Sequence, residues 1–326
     1  MTNTAIRLPR SATVVVCTHD MKRWERLAAC VAALRRQTRP PDEILVVVDH
    51  NPPLEERARH ELEGVRVLPN RFERGLGGAR NTGIGAARGD VVAFMDDDAV
   101  ADERWLEQLL AGYTEPRVLG VGGRTEPDWE GEPARWLPEE FYWVVGCAYK
   151  SMPESMQPVR NVHGGNSSFR REAIARVDGF RLGYSCDDTE FCIRLQRHHP
   201  GGIVMYQPAA RMGHYVPAAR LTWRYYLRRC YFEGGSKAVV ARLAGADQAL
   251  ETERAYVRRT LPLGVMREVC QGVRRRDGNA FLRASAIILG LGATALGYVV
   301  ALPRLTEHAH RRGWVGDLPE RPSRAA

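Results

Sequence analysis

Val91–Asp98 reads VVAFMDDD. An apolar run long enough for a short strand passes directly into three carboxylates, so a strand buried in a sheet would deliver those acids at its carboxyl end. Open α/β sheets bind ligands in the crevice at that end of their strands. A hard divalent cation held beside phosphate oxygens is one use for such a cluster. The other is a solvated acidic turn, or the cap of a helix that opens near Asp102.

The same grammar recurs on both sides of this stretch. Ala12–Cys17 is a β-branched run, and Trp24–Gln37 follows with Leu27, Cys30, Val31 and Leu34 on one helical face. Ile44–Val48 reads as a second strand, Pro53–Glu63 as a helix with proline at its start and Gly64 at its stop, and Val65–Leu68 as a third strand. A glycine-rich helix over Gly77–Ala87, a helix over Asp102–Leu110 and a strand over Val118–Val121 complete an alternation that predicts an α/β fold with a mostly parallel, two-faced sheet. Polar residues cluster at the strand ends: Thr18, His19 and Asp20 after the first, Asp49 after the second, Asp96, Asp97 and Asp98 after the fourth.

Composition narrows the class without choosing the activity. The 326 residues are 44% hydrophobic and 26% charged, which excludes a disordered or collagen-like chain. The net charge of +8 suits an anionic partner. The seven cysteines are scattered, with no Cys-x-x-Cys pair, so neither a disulfide framework nor a zinc ribbon is expected. Met1–Arg10 has no apolar run resembling a secretory signal. A cytoplasmic location follows as the expectation, at the inner face of the membrane if the C-terminal segment associates with it.

Four motifs in order carry a resemblance: VVVCTHD at Val14–Asp20, PDEILVVVD at Pro41–Asp49 after Gln37, GARNTG at Gly78–Gly83, and VVAFMDDD itself. In order and spacing they resemble the family 2 nucleotide-sugar glycosyltransferases, over about residues 11–235. The resemblance implies a GT-A fold and inverting transfer of a sugar from a nucleoside-diphosphate donor to an acceptor hydroxyl on a glycan, a lipid-linked molecule or a small substrate. It implies that Asp96 and Asp98 hold Mn2+ or Mg2+ beside the diphosphate and that Asp96 and Asp97 lie at the donor. Asp49 would contact the base or ribose, Arg80 would lie close to the nucleotide, and Thr18 would line the same pocket.

The downstream half adds three matches. HGGNSS at His163–Ser168 resembles the family's glycine-asparagine segment, where small residues let backbone approach the donor and Asn166 would hydrogen-bond a sugar hydroxyl. Asp187-Asp188 resembles its acidic base motif, which implies that Asp188 takes the acceptor proton. The family's usual first residue there is glutamate; aspartate at 187 is one methylene shorter. His214, read as following the last strand, resembles a C-terminal metal ligand, and an imidazole suits manganese better than magnesium.

The expected organisation is a catalytic domain over 1–235, with a nucleotide-binding half over about 11–123 and an acceptor half over about 124–235. An arginine-rich helical extension over 236–283, an apolar helix over 284–302 and a polar tail over 303–326 would follow. Trp136, Tyr142 and Trp143 stand in an irregular segment, either to stack on a sugar or, more commonly for such spacing, to be buried. Ala284–Leu302 is nineteen residues without a charge, bounded by Arg283 and Arg304. Spanning a bilayer, lying on its surface and packing as a core helix are all open to it.

Two alternatives stand beside this reading. A dinucleotide-dependent oxidoreductase shares the alternation, but CTHDMK after the first strand lacks the glycines that let a pyrophosphate approach. A relative that binds a nucleotide sugar without turnover would keep the motifs. Nucleic acid is not an expected partner, because binding it would leave both acidic motifs without a purpose.

Overall fold

The structure, a computed structural model, describes residues 8–181, 186–245 and 250–304. The first seven residues and most of the expected polar tail therefore lie outside the described residues. The chain divides into two compact units. One is built from Met1–Asp128, Gly146–Ala148 and Met152–Val216; the other is built from Trp129–Val145, Tyr149–Ser151 and Pro217–Ala326.

The first unit contains β1 (Ala12–Thr18), α1 (Trp24–Arg35), β2 (Glu43–Val48), α2 (Pro52–Glu61), β3 (Arg66–Pro69), α3 (Leu76–Ala86) and β4 (Val91–Asp96). It continues through β5 (Ala99–Ala101), α4 (Trp105–Ala111), β6 (Val118–Trp129), β7 (Gln157–Val159), β8 (Asn166–Arg170), α5 (Arg171–Ala175), α6 (Asp187–His198) and β9 (Ile203–Val216). The nine strands form one sheet in the order β3-β2-β1-β4-β8-β6-β9-β5, with β7 also on β9.

The strands β3, β2, β1 and β4 are parallel. Their continuous apolar character has a simple cause: both faces are covered. Val14, Val16, Val46 and Val48 pack with Leu27, Leu34 and Leu54 of α1 and α2, whereas Val15, Leu45, Val47 and Phe94 pack with Ala79 of α3 and with Phe191 and Leu195 of α6. Asn51 caps α2 by accepting from the Leu54 N–H, 3.2 Å away, and proline occupies the first helical turn.

Past β4 the expected alternation ends. The strand begun at Val118 does not pair with β4, because β8 inserts antiparallel between them, setting Met95 opposite Asn166 and Gly120 opposite Phe169. The glycine motif thus leads into a central strand. The strand expected over Ile203–Tyr206 extends to Val216, held by antiparallel ladders to β5 and β7.

In the second unit, α7 (Trp223–Ala244), α8 (Glu251–Ala255), α9 (Leu261–Arg275) and α10 (Gly278–Ala301) form the helical region expected after the catalytic motifs. Its core gathers Phe141, Val144, Tyr226, Cys230, Leu261 and Ile287. The tryptophan-rich segment is part of this core: Trp136 stacks on Trp223 with centroids 4.3 Å apart, and Phe141 lies 5.5 Å from both Trp143 and Tyr226. Trp136, Tyr142 and Trp143 are half-buried and pack against this core.

Leu27 is fully buried between α1 and the sheet. Leu27→Ala should lower the first unit's unfolding free energy by about 2–5 kcal/mol, read as a fall in its urea midpoint. Leu263→Ala, at a position 58% exposed in the second unit, should leave that midpoint unchanged.

Candidate active site

Strand polarity brings the predicted acids to one edge. β1, β2 and β4 end together, with Cys17 opposite Asp96 and Thr18 opposite Val48, at the point where the chain order reverses around β1. Asp96 is half-buried, whereas Asp97 and Asp98 are buried. The β5–β9 ladder sets His214 opposite Ala99, placing its Nε2 3.3 Å from Asp98 Oδ1. His214 therefore lies within the last strand, not after it; the ladder is what carries it to the acids. Ligand atoms of Asp96, Asp98 and His214 lie within 4.8 Å of one another, an O,O,N donor set that fits a divalent cation, manganese better than magnesium.

Gly164 and Gly165 press the backbone against this corner. A Cβ on Gly165 would overlap the Asp96 carboxylate, and one on Gly164 would fall 2.7 Å from Arg80 Nη2. The Gly164 N–H donates to Asp188 Oδ2 at 3.1 Å, while Asp188 Oδ1 accepts from the Thr189 N–H at 2.6 Å. Two consecutive residues thus join the acid base-candidate of α6 to the acidic end of β4.

Arg80 is 4% exposed, with its guanidinium 5.1 Å from the Phe180 ring centroid and Nη1 3.1 Å from Asp187 Oδ2. Burial pushes the Asp187 carboxyl up to about 6, with Arg80 opposing and the neighbouring Asp188 adding to the rise. The shorter side chain at 187 therefore still reaches a cation, and Asp187 is a positioning partner of Arg80. Asp49 accepts from Asn70 Nδ2 at 2.6 Å, His50 Nδ1 at 2.8 Å and the Gly75 N–H at 2.9 Å. Burial raises its pKa, but those hydrogen bonds outweigh the effect and hold it below the ordinary carboxylate value. Thr18 is 2% exposed, and its carbonyl accepts from the Asp49 N–H.

Two expected donor contacts face the core. Asn166 is fully buried: its Oδ1 accepts from Trp105 Nε1 at 2.7 Å, and its amide nitrogen approaches Thr125 Oγ1 and the Ala210 carbonyl. These contacts fix the register of the glycines before it. Asp97 is 2% exposed, and its Oδ1 accepts from Arg23 Nη1 at 2.7 Å, which anchors the acidic turn. Buried polar groups take their partners from the nearest fold elements, and neither partner adjoins its acceptor in sequence.

Arg23 and His163 are the residues that motif reading passed over. Arg23 Nη1 also lies 3.2 Å from Asp98 Oδ2 and so supplies an internal counter-charge for two clustered carboxylates. His163 lies beside Asp96 and Asp188; burial holds its imidazole below the ordinary value, and those two carboxylates oppose the shift. Its place at the head of the glycine segment was the available signal. Burial pushes the Cys17 thiol up to about 12 even though Arg80 pulls it down, which disfavours the thiolate.

The family model for glycosyl transferase family 2 matches residues 13–178. The chain belongs to that family. This family 2 enzyme is 32% identical over 309 residues to the glucosyl-dolichyl phosphate glucuronosyltransferase of Haloferax volcanii, spanning 90% of this chain and 98% of that protein. Its fold is that of the mannosyltransferase PcManGT from Pyrobaculum calidifontis, solved with GDP-Man and Mn2+ (TM-score 0.52, 19% identity, 94% of this chain and 81% of that one). GalNAc-T7, solved with UDP, GalNAc and Mn2+, is also similar (TM-score 0.51, 17% identity, 73% and 51%). The chain is a GT-A-fold glycosyltransferase of glycan biosynthesis, and the oxidoreductase alternative falls.

Asn166→Ala leaves the Trp105 N–H buried without its acceptor and should cost about 1–3 kcal/mol of stability, measured by urea denaturation, with little change in donor KM. A raised KM at unchanged stability would instead place the amide at the substrate. A second expectation concerns pH. A carboxyl whose folded pKa is raised stabilises the fold fully below its unfolded value of 3.8, and that contribution is lost as pH rises through about 6. Denaturation midpoints taken across this window should therefore slope downward in the wild type by more than in Asp187→Asn; parallel profiles would contradict the assignment.

Proposed function

We propose that this family 2 enzyme is a metal-dependent, inverting transferase that moves a sugar from a nucleoside diphosphate to a hydroxyl of a lipid-linked glycan. The observation that carries the reading is the Gly164-Gly165 step, which touches Asp188 and Arg80 at one residue and Asp96 at the next. That one step of backbone adjoins both the candidate base and the acids beside the candidate metal site supports the reading.

A divalent ion on Asp96, Asp98 and His214, with manganese favoured over magnesium by the imidazole, supplies neutralising charge for the diphosphate. The protein does the rest. Arg80, fixed by Asp187, adds positive charge beside the leaving group. Asp188 takes the proton of the acceptor hydroxyl, and that oxygen bonds to the sugar's C1 from the face opposite the diphosphate. The C1–oxygen bond to the diphosphate breaks with its electron pair on the leaving oxygen, so configuration inverts in one displacement. Asp49 and Thr18 lie where the nucleoside would bind.

The two GT-A neighbours were solved with a nucleotide or nucleotide sugar and Mn2+, which supports the donor class and the metal. The Haloferax relative is named for a glucosyl-dolichyl phosphate acceptor, and the net charge of +8 suits an anionic, phosphate-bearing one.

Donor binding and hydrolysis across a panel of nucleotide sugars, with and without Mn2+, test the assignment. Asp98→Ala should abolish metal-dependent donor binding, whereas Asp188→Asn should retain binding and lose about 100- to 10,000-fold in kcat. The product's anomeric configuration, read by NMR, should be opposite to the donor's; retention would sink the mechanism.

A further inference from the structure

The second unit displays an apolar surface that its own core does not explain. In α9 the inward face carries Leu261, Gly264, Glu268 and Gly272, and the opposite face carries Leu263, Met266, Val269 and Val273, between 39% and 67% exposed. In α10 the inward face is mostly small, with Ala280, Ala284, Ala286, Gly290 and Gly297 around the buried Ile287. Its outward face presents Phe281, Leu282, Ile288, Leu289, Leu296 and Val299, each at least 43% exposed. Monomeric soluble proteins rarely leave apolar surface contiguous on this scale. Phe281, at the start of the α10 outward face, also packs against Gly272 on the inward face of α9, which joins the two helices at that turn.

We propose that α9 and α10 form a seat for an anionic lipid bilayer, on which the second unit lies in the membrane plane without crossing it. Three observations carry this. First, α10 is long and apolar enough to cross a membrane, with a mean hydropathy of 1.9 in its best window. However, it is bound lengthwise to a charged helix. Gly234 of α7 packs on the Thr294 carbonyl, Gly297 packs on the Tyr231 carbonyl, and Tyr226 Oη donates to the Ala286 carbonyl at 2.7 Å. Beside Gly234 stands Glu233, 3.0 Å from Arg229 and 3.6 Å from Lys237. A spanning α10 would draw that cluster into hydrocarbon, where ionised side chains are strongly disfavoured.

Second, the α9–α10 hairpin is preformed. Glu268, 4% exposed, lies 2.8 Å from Arg267 and 2.6 Å from Arg283, locking the inner faces and leaving the outer stripes displayed. Third, exposed arginines flank the α9 stripe in sequence, with Arg258 and Arg259 before it and Arg274, Arg275 and Arg276 after it. An apolar face bordered by arginine matches an interfacial helix on anionic lipid. This proposal does not depend on the donor or the mechanism.

Flotation of the full chain with vesicles of phosphatidylglycerol or of phosphatidylcholine tests it. The protein should float with phosphatidylglycerol, and the pairs Leu263→Glu with Val273→Glu and Leu289→Glu with Leu296→Glu should each reduce the bound fraction about tenfold or more. The milder pair Leu263→Gln with Val273→Gln guards against misfolding, and detergent-solubilised donor hydrolysis should be unchanged in all three. Arg274→Gln with Arg275→Gln and Arg276→Gln should weaken phosphatidylglycerol binding by about fivefold per charge. Alkaline carbonate should extract the protein from membranes. Carbonate-resistant pelleting would overturn the proposal in favour of a span. A vesicle-free dimer dispersed by the same glutamates, without lipid binding, would overturn it in favour of a second copy of the chain, and failure to float would overturn it outright.

Discussion

The antiparallel β4–β8 ladder is the constraint on which the site depends. β4 by itself delivers three carboxylates to a sheet edge, where mutual repulsion and solvation would leave them as an acidic turn. Pairing with β8 sets Met95 opposite Asn166 and lays the two glycines before Asn166 across the acids. Because neither glycine has a side chain, the backbone comes close enough for the Gly164 N–H to reach Asp188 while Asp96 and Arg80 occupy the adjoining space. Asn166 holds the register from below, through the indole of Trp105 on α4. Asp96, Arg80 and Asp188 are therefore brought together by one strand pairing.

Charge is balanced locally. Arg23 lies between Asp97 and Asp98, and Arg80 lies against Asp187, so two of the three close carboxylate clusters carry an internal cation. The third shares Asp98 with the first and adds Asp96 and His214; among the described residues it is the group that could hold a divalent ion. Arg80 can remain buried because Phe94 and Phe180 face its guanidinium and because Asp187 and Asp96 favour its charged form against the desolvation that opposes it. The odd residue of the base motif, aspartate at 187, is compatible with this arrangement: its carboxylate still reaches Arg80.

The second unit solves a different problem, packing a glycine- and alanine-rich helix tightly enough to be stable. Small residues on α10 let α7 approach at backbone distance, and Tyr226 bridges the two by bonding to the Ala286 carbonyl. Buried charges are retained in compensated groups, with Glu140 3.0 Å from Arg267 and Glu268 between Arg267 and Arg283. Apart from the buried Ile287, the fully buried positions of α10 are glycine and alanine, and Phe281, Leu282, Ile288, Leu289, Leu296 and Val299 lie on its outer face.

Sequence by itself determined the parallel half of the sheet and the strand edge at which the acids gather. Alternating strands and helices are local patterns, and strand polarity turns "acids after an apolar run" into "acids at the ligand-binding edge" without knowledge of any distant contact. The α6 acids and the helical C-terminal region were readable for the same reason. Only tertiary structure decided that Asp97 pairs with Arg23, that Asn166 serves Trp105, that His214 arrives on a strand opposite Ala99, and that β8 separates β4 from β6. Each of these depends on a partner dozens of residues away, chosen by sheet register and by the need of buried polar groups for hydrogen bonds. The faces of α9 and α10 were ambiguous in sequence because both sides of each helix are largely apolar or small; which side is inner was settled by where glycine and alanine permit another helix to approach.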